Sequence, residues 1–123
     1  MGSIEGNFIV GKSESFALRC IRLYQLLIKE RGEFVLSKQL LRSGTSIGAN
    51  VKEAIRGQSK ADFAMKLNIA LKEASESEYW IELLGESGIL TEQEFASIHQ
   101  DCRELIKILT SILKTTFKSI HNS

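Results

Sequence analysis

A chain of 123 residues and 13.8 kDa suffices for a single domain over 1–123, because domains commonly run to ~100–150 residues and a second core would be starved at this length. Its 43% hydrophobic and 25% charged residues match ordinary globular proteins, and no uninterrupted apolar run exceeds three residues, which excludes a membrane span of about 20 apolar residues. A net charge of +1 argues against a dedicated polyanion binder, and two cysteines are too few for a disulfide framework.

The opening Met1-Gly2-Ser3-Ile4-Glu5 has neither the basic start nor the apolar stretch of a secretory signal, so a cytoplasmic protein is expected. With no proline and 9 glycines concentrated between periodic segments, nothing interrupts long helical ladders. The reading is all-α. Phe8-Ile9-Val10 reads as a short extended strap at most.

Helix one is expected over about 13–31, capped by the Ser13 hydroxyl and stopped by Gly32, with Phe16, Cys20, Leu23 and Leu27 as its inner seam. Helix two, about 37–56, starts near Ser37, carries Leu40, Gly44, Ile47, Val51 and Ala54 on alternating four- and three-residue steps, and closes at Gly57. Helix three, about 60–86, repeats that spacing through Phe63, Leu67, Ala70, Ala74, Ser77, Ile81 and Leu84, until Ser87-Gly88. Helix four, about 91–118, has the clearest start: Thr91 and Glu94 stand in capping-box relation, and Leu90 and Phe95 at staple positions. Its seam is Phe95, Ile98, Cys102, Leu105, Leu109 and Ile112. Seams near a 3.5-residue repeat predict left-handed packing, and short connections predict an antiparallel up-down-up-down four-helix bundle.

Three features lie outside the seams. On helix three, Met65, Ile69, Tyr79, Trp80 and Leu83 form a second apolar stripe opposite the first, where a monomeric bundle helix should be polar. Contiguous apolar patches mark partner surfaces, and another copy of the chain is the simplest partner. On helix two, Lys38, Arg42, Lys52 and Arg56 fall within roughly 80° when wound at 100° per residue. That basic ridge suits phosphate backbones of RNA or DNA; a solvated helix face is the plainer alternative. Lys60 joins it only if the helix continues past Gly57. Charge along the chain is uneven, with 10 basic against 5 acidic residues in 1–60, 2 against 6 in 61–90 and 4 against 4 in 91–123. The third feature is the stripe Ser46, Asn50 and Glu53 on the other flank of helix two. Without a histidine or lysine base beside it, a buried, hydrogen-bonded structural stripe is the better reading than acid–base chemistry.

Signs of catalysis are missing. A di-iron bundle needs Glu-x-x-His on two helices, but Ala96 and Lys118 stand three residues before His99 and His121. Neither histidine has a designated partner in the sequence. Cys20 and Cys102 lie on seams and read as buried hydrophobes. Gly44 and Gly48 have the small-xxx-small spacing that permits close backbone approach, and Gly48 lacks the Lys-Ser/Thr that would make a phosphate loop. No enzyme, metal or cofactor is expected.

The run Leu40-Leu41-Arg42-Ser43-Gly44-Thr45-Ser46-Ile47-Gly48-Ala49-Asn50-Val51-Lys52-Glu53-Ala54 resembles the signature of the bacterial 23S rRNA intervening-sequence protein family, in which Ser46, Asn50 and Glu53 match a Ser-Ile-x-x-Asn-Ile/Val-x-Glu pattern. Lys12-Ser13 with Phe16-Ala17-Leu18-Arg19 resembles the family's opening, and Phe63, Leu67, Ala70, Leu71, Glu73, Ala74, Glu76, Tyr79 and Trp80 its third helix. Gly48 stands where relatives often have proline. The resemblance is strong over residues 12–88 and loose afterwards. It implies a left-handed up-down bundle assembled as a homopentameric ring, which would give the outer stripe of helix three a partner. The accessory variability protein of diversity-generating retroelements is distantly similar, and it is pentameric and binds nucleic acid and a reverse transcriptase. Two functions are therefore expected to compete: a nucleic-acid-binding or ribonucleoprotein accessory module, and a protein-binding scaffold.

Overall fold

The structure is a computed structural model that describes residues 4–122, with side chains from residue 7 onward. Residues 1–3, which open the segment read above for a leader, and residue 123 lie outside the described residues. Four helices follow one another, α1 (Ile4–Glu30), α2 (Leu36–Ile55), α3 (Lys60–Glu86) and α4 (Glu92–His121), and no strand occurs among the described residues.

The first helix begins well ahead of the expected start at Ser13. Gly11 stands in its early turns, yet Ile9 is 1% exposed, seven residues before the buried Phe16 and on the same face. Burying it outweighs the ~1 kcal/mol that a helical glycine costs. Phe8-Ile9-Val10 is therefore helical, not an extended strap. Ser13 caps nothing; it is buried within α1, and its hydroxyl donates to the Val10 carbonyl at 3.1 Å.

Both positive-φ glycines end helices. Gly32 (φ 63°) and Gly88 (φ 78°) let the chain reverse so that Glu33 N–H reaches the Leu27 carbonyl at 3.1 Å and Leu90 N–H the Leu84 carbonyl at 3.0 Å, the six-to-one bonds of a Schellman stop. At the start of α2 the capping group is Glu33. Its carboxylate accepts the backbone N–H groups of Val35, Leu36 and Ser37 at 2.6–3.0 Å. Burial alone would raise its pKa, but these bonds outweigh burial and hold the carboxyl below its usual range. Ser37, taken above as the helix start, is buried and donates to the Glu33 carbonyl.

The inner seams meet as expected in α2 and α3, where every seam residue is buried. In α1 Leu23 is only half-buried. At the far end of α4 the buried residue is Leu113, while Ile112 is half-buried, because a 3.6-residue helix drifts ~20° per heptad from a strict 3.5 repeat. Gly44 sits so close to α1 that a Cβ there would collide with Cys20 Sγ, whereas Gly48 has ordinary clearance, 3.5 Å to Ser13 Oγ. Gly85 gives α4 the same kind of approach, with the Phe95 ring lying over it.

Packing joins α1 to α2, α2 to α3 and α3 to α4 closely, and α1 to α4 more openly. Residue numbers rise along one helix as they fall along its neighbour. Lys12 meets Glu104 while Arg31 meets Glu94; Arg42 meets Glu76 while Glu53 meets Lys66; and Lys60 meets Ser119 while Cys102 meets Ala74. The α1–α4 seam is a groove with a cavity of about 490 Å³ lined by Phe8, Lys12, Asp101 and Glu104, bridged by Lys12–Glu104, Arg19–Asp101 and Arg31–Glu94.

Candidate interaction surfaces

The basic ridge lies on the outer face of α2. Lys38, Arg42, Lys52 and Arg56 are all exposed, but they do not act as four equivalent charges. Arg42 leans toward α3, where its guanidinium binds Glu76 at 2.5 Å and Glu73 at 3.5 Å. Burial raises the Glu73 pKa, and the nearby Glu76 adds to it, against the pull of Arg42. Lys52 leans the other way, into a cavity between α1 and α2 lined by Val10, Ser13, Glu14 and Thr45. Lys38 and Arg56 are left on the outward face. Because α2 ends at Ile55, Lys60 belongs to α3, where its ammonium donates to Ser119 Oγ at 2.7 Å.

The expected polar stripe is less buried than its spacing suggested. Ser46 and Asn50 are half-buried and Glu53 is exposed. Ser46 Oγ donates to the Arg42 carbonyl at 2.7 Å and Asn50 Nδ2 to the Ser46 carbonyl at 2.8 Å, so both bonds end on their own helix, while Glu53 faces Lys66 of α3 at 3.6 Å. A polar link between helices sits one turn before Ser46, further in. Ser43 and Ser77, both 0% exposed, join their hydroxyls at 2.8 Å across α2 and α3, and Ser77 also donates to the Glu73 carbonyl. Ser77 was visible as a seam residue; Ser43 stands beside the α2 seam and gave no signal of its own.

On the outer face of α3 the apolar stripe divides. Met65 is 56% and Tyr79 54% exposed, with Ile69 also exposed. Trp80 turns inward onto the core, its ring 5.1 Å from that of Tyr79, and its buried Nε1 finds no hydrogen-bond partner among the described residues. Leu83 is half-buried. Phe34 and Val35, in the connection before α2, are exposed as well.

Reactive groups are shielded or paired. Burial pushes the Cys20 and Cys102 thiols up to about 12, so neither forms a thiolate near neutrality, and Cys102 Sγ donates to the Ala74 carbonyl. His99, which the sequence left without a partner, stacks on Phe95; its buried Nε2 stands 3.1 Å from Glu78 Oε2 without the geometry of a hydrogen bond, and that oxygen accepts from Arg103 at 3.0 Å. Among the described residues no group of three His, Cys, Asp or Glu side chains converges to hold a metal ion, and no helix is long and apolar enough to cross a membrane.

The pattern of the 23S rRNA-intervening sequence proteins matches residues 6–111. The chain belongs to that family. A solved structure of a protein with unknown function from the S23 ribosomal protein family of Bacteroides thetaiotaomicron is similar to it, at 53% identity and a TM-score of 0.88, over 90% of this chain and 99% of that one. No curated protein matches. The matched span takes in α2 and α3, and with them the basic ridge, the polar stripe and the apolar outer face. It ends inside α4, so residues 112–123 lie beyond it.

Proposed function

We propose that this member of the intervening-sequence protein family is a non-catalytic, cytoplasmic helical module that associates with itself and binds nucleic acid as a ribonucleoprotein accessory. The observation that carries the reading is the contrast between two adjacent outer faces, Met65, Ile69 and Tyr79 exposed on α3 and Lys38, Lys52 and Arg56 exposed on α2. The apolar face, with Trp80 and Leu83 at its edge, serves as the contact between copies in a homopentamer. Repetition around a ring multiplies the field of the basic face without changing composition, which offsets the low net charge of one chain. The half-buried Ser46 and Asn50 with Glu53 hold α2 in place and take part in no reaction.

A protein-binding scaffold without nucleic-acid affinity is the second reading. It is favoured by the carboxylates Glu73 and Glu76, which occupy Arg42, and by Glu53 standing in the same region. An electrophoretic shift assay against structured RNA and duplex DNA between ~50 and ~200 mM salt separates the two readings. The accessory reading expects binding that weakens steeply with salt and does so alike for unrelated sequences. No shift at the lowest salt would leave the scaffold.

A further inference from the structure

Charge on α4 is separated along its length. Its carboxylates, Glu92, Glu94, Asp101 and Glu104, all precede residue 105, whereas residues 105–122 hold Lys107, Lys114, Lys118 and His121 and no acid. Wound at 100° per residue, those four fall within roughly 60° and Phe117 stands about 40° to one side of His121. The neighbouring part of α3 is also mostly basic: residues 60–72 hold Lys60, Lys66 and Lys72 against Asp62. The contact of Lys60 with Ser119 at 2.7 Å places the start of α3 beside this end of α4.

Lys107, Lys114 and Lys118 are exposed and make no ion pair among the described residues. Phe117, at the edge of their arc, is 47% exposed, while Leu105, Leu109 and Leu113 of the same helix are buried. Cations near a helix C-terminus offset its dipole, but that effect fades within the last turn, which here holds Lys118 and His121. It accounts for neither Lys107, Lys114 nor the outward phenyl ring.

We propose that this face, Lys107, Lys114, Phe117, Lys118 and His121, is a contact for single-stranded nucleic acid, with the lysines on backbone phosphates and the Phe117 ring stacked on an unpaired base. The assignment rests on the nucleic-acid reading above and moves its contact from α2 to α4. Lysines that neutralise phosphates release counterions and give sequence-independent affinity, and an aromatic ring adds stacking that any base satisfies. The α2 ridge has Arg42 tied to Glu76 and Glu53 nearby, and its exposed ring, Phe34, lies in the connection before the helix; the α4 face carries its ring within the helix, and the carboxylate at its edge, Glu104 beside Lys107, is paired with Lys12. An anionic membrane fits less well, since an interfacial helix buries a continuous apolar face and that of α4 is spent on the core.

Fluorescence anisotropy with a labelled oligouridylate of about 20 nucleotides, enough to span an extended site, and a duplex DNA of the same length tests the assignment on the whole chain. The parent is expected to bind the single strand more tightly than the duplex. Phe117→Ala and Phe117→Leu should both weaken single-strand binding about tenfold, as loss of one stacked base implies, with little change for the duplex. Replacing Lys107, Lys114 and Lys118 together with Ala should flatten the log–log salt dependence by about 2, since single strands lose ~0.7 per phosphate contact. These side chains are exposed, so helicity by circular dichroism should match the parent. If the α4 variants bind as the parent does while Lys38→Ala with Arg56→Ala abolishes binding, the α4 site is overturned and the nucleic-acid reading survives on α2. A parent that binds neither probe overturns both.

Discussion

Two glycines four residues apart on α2 meet different surroundings. Gly44 lies where a Cβ would strike Cys20 Sγ, and Gly48 has 3.5 Å to the nearest side-chain atom. Gly44→Ala should therefore destabilise by roughly 1–3 kcal/mol, the usual cost of forcing a methyl group into a packed seam. Gly48→Ala should be neutral or stabilising by up to ~1 kcal/mol, the helix preference of alanine over glycine. Urea unfolding of the two variants beside the parent checks both, and equal effects would mean that the close approach of α1 and α2 is not specific to Gly44. The small-residue spacing was readable in the sequence, but which glycine uses it was not, because that depends on Cys20 arriving from a different helix. The same holds for Ser43, whose burial is set by Ser77 on α3.

At the level of helices, the clearest local signal was also the most completely realised. Thr91 and Glu94 form both bonds of the capping box, and Glu94 further receives a bidentate pair of 2.8 Å bonds from Arg31, which ties the end of α1 to the start of α4. The Arg31 hydrogen bonds first, and the Thr91 backbone N–H second, lower the Glu94 pKa to about 2. Its unfolded value is ~4.3, so the folded state binds this proton less readily than the unfolded chain. The resulting stability is complete above about pH 5 and is lost as pH falls toward 2. Unfolding midpoints measured from pH 5 to pH 2 should decline less for Arg31→Ala than for the parent; parallel declines would show that Arg31 does not set the charge state of Glu94. The seams of α2 and α3 were legible because each helix is buried along one unbroken heptad stripe. The first turns of α1 were not, since glycine is a weak breaker against the burial of Ile9. On α4 the balance of acids and bases over residues 91–123 concealed that the two signs occupy different halves of the helix.

For the molecule as a whole, the described chain leaves apolar surface that its own fold does not use. The buried stripe of α3 closes the core, and the opposite stripe keeps Met65, Ile69 and Tyr79 in water unless another surface covers them. Membership of the 23S rRNA-intervening sequence proteins gives the fold, and the proposed self-association gives those residues a function. Copies of this face covered by one another would also set the basic faces of α2 and α4 at repeated positions, so a weakly charged chain could present a concentrated field. The measurement that tests the central claim most directly is the solution mass by light scattering at micromolar concentration. The account predicts an assembly of about five times the 13.8 kDa chain mass for the parent, and dissociation when Met65→Glu and Tyr79→Glu place charge on the exposed stripe while helicity is kept. A parent that scatters as a stable single chain would contradict it.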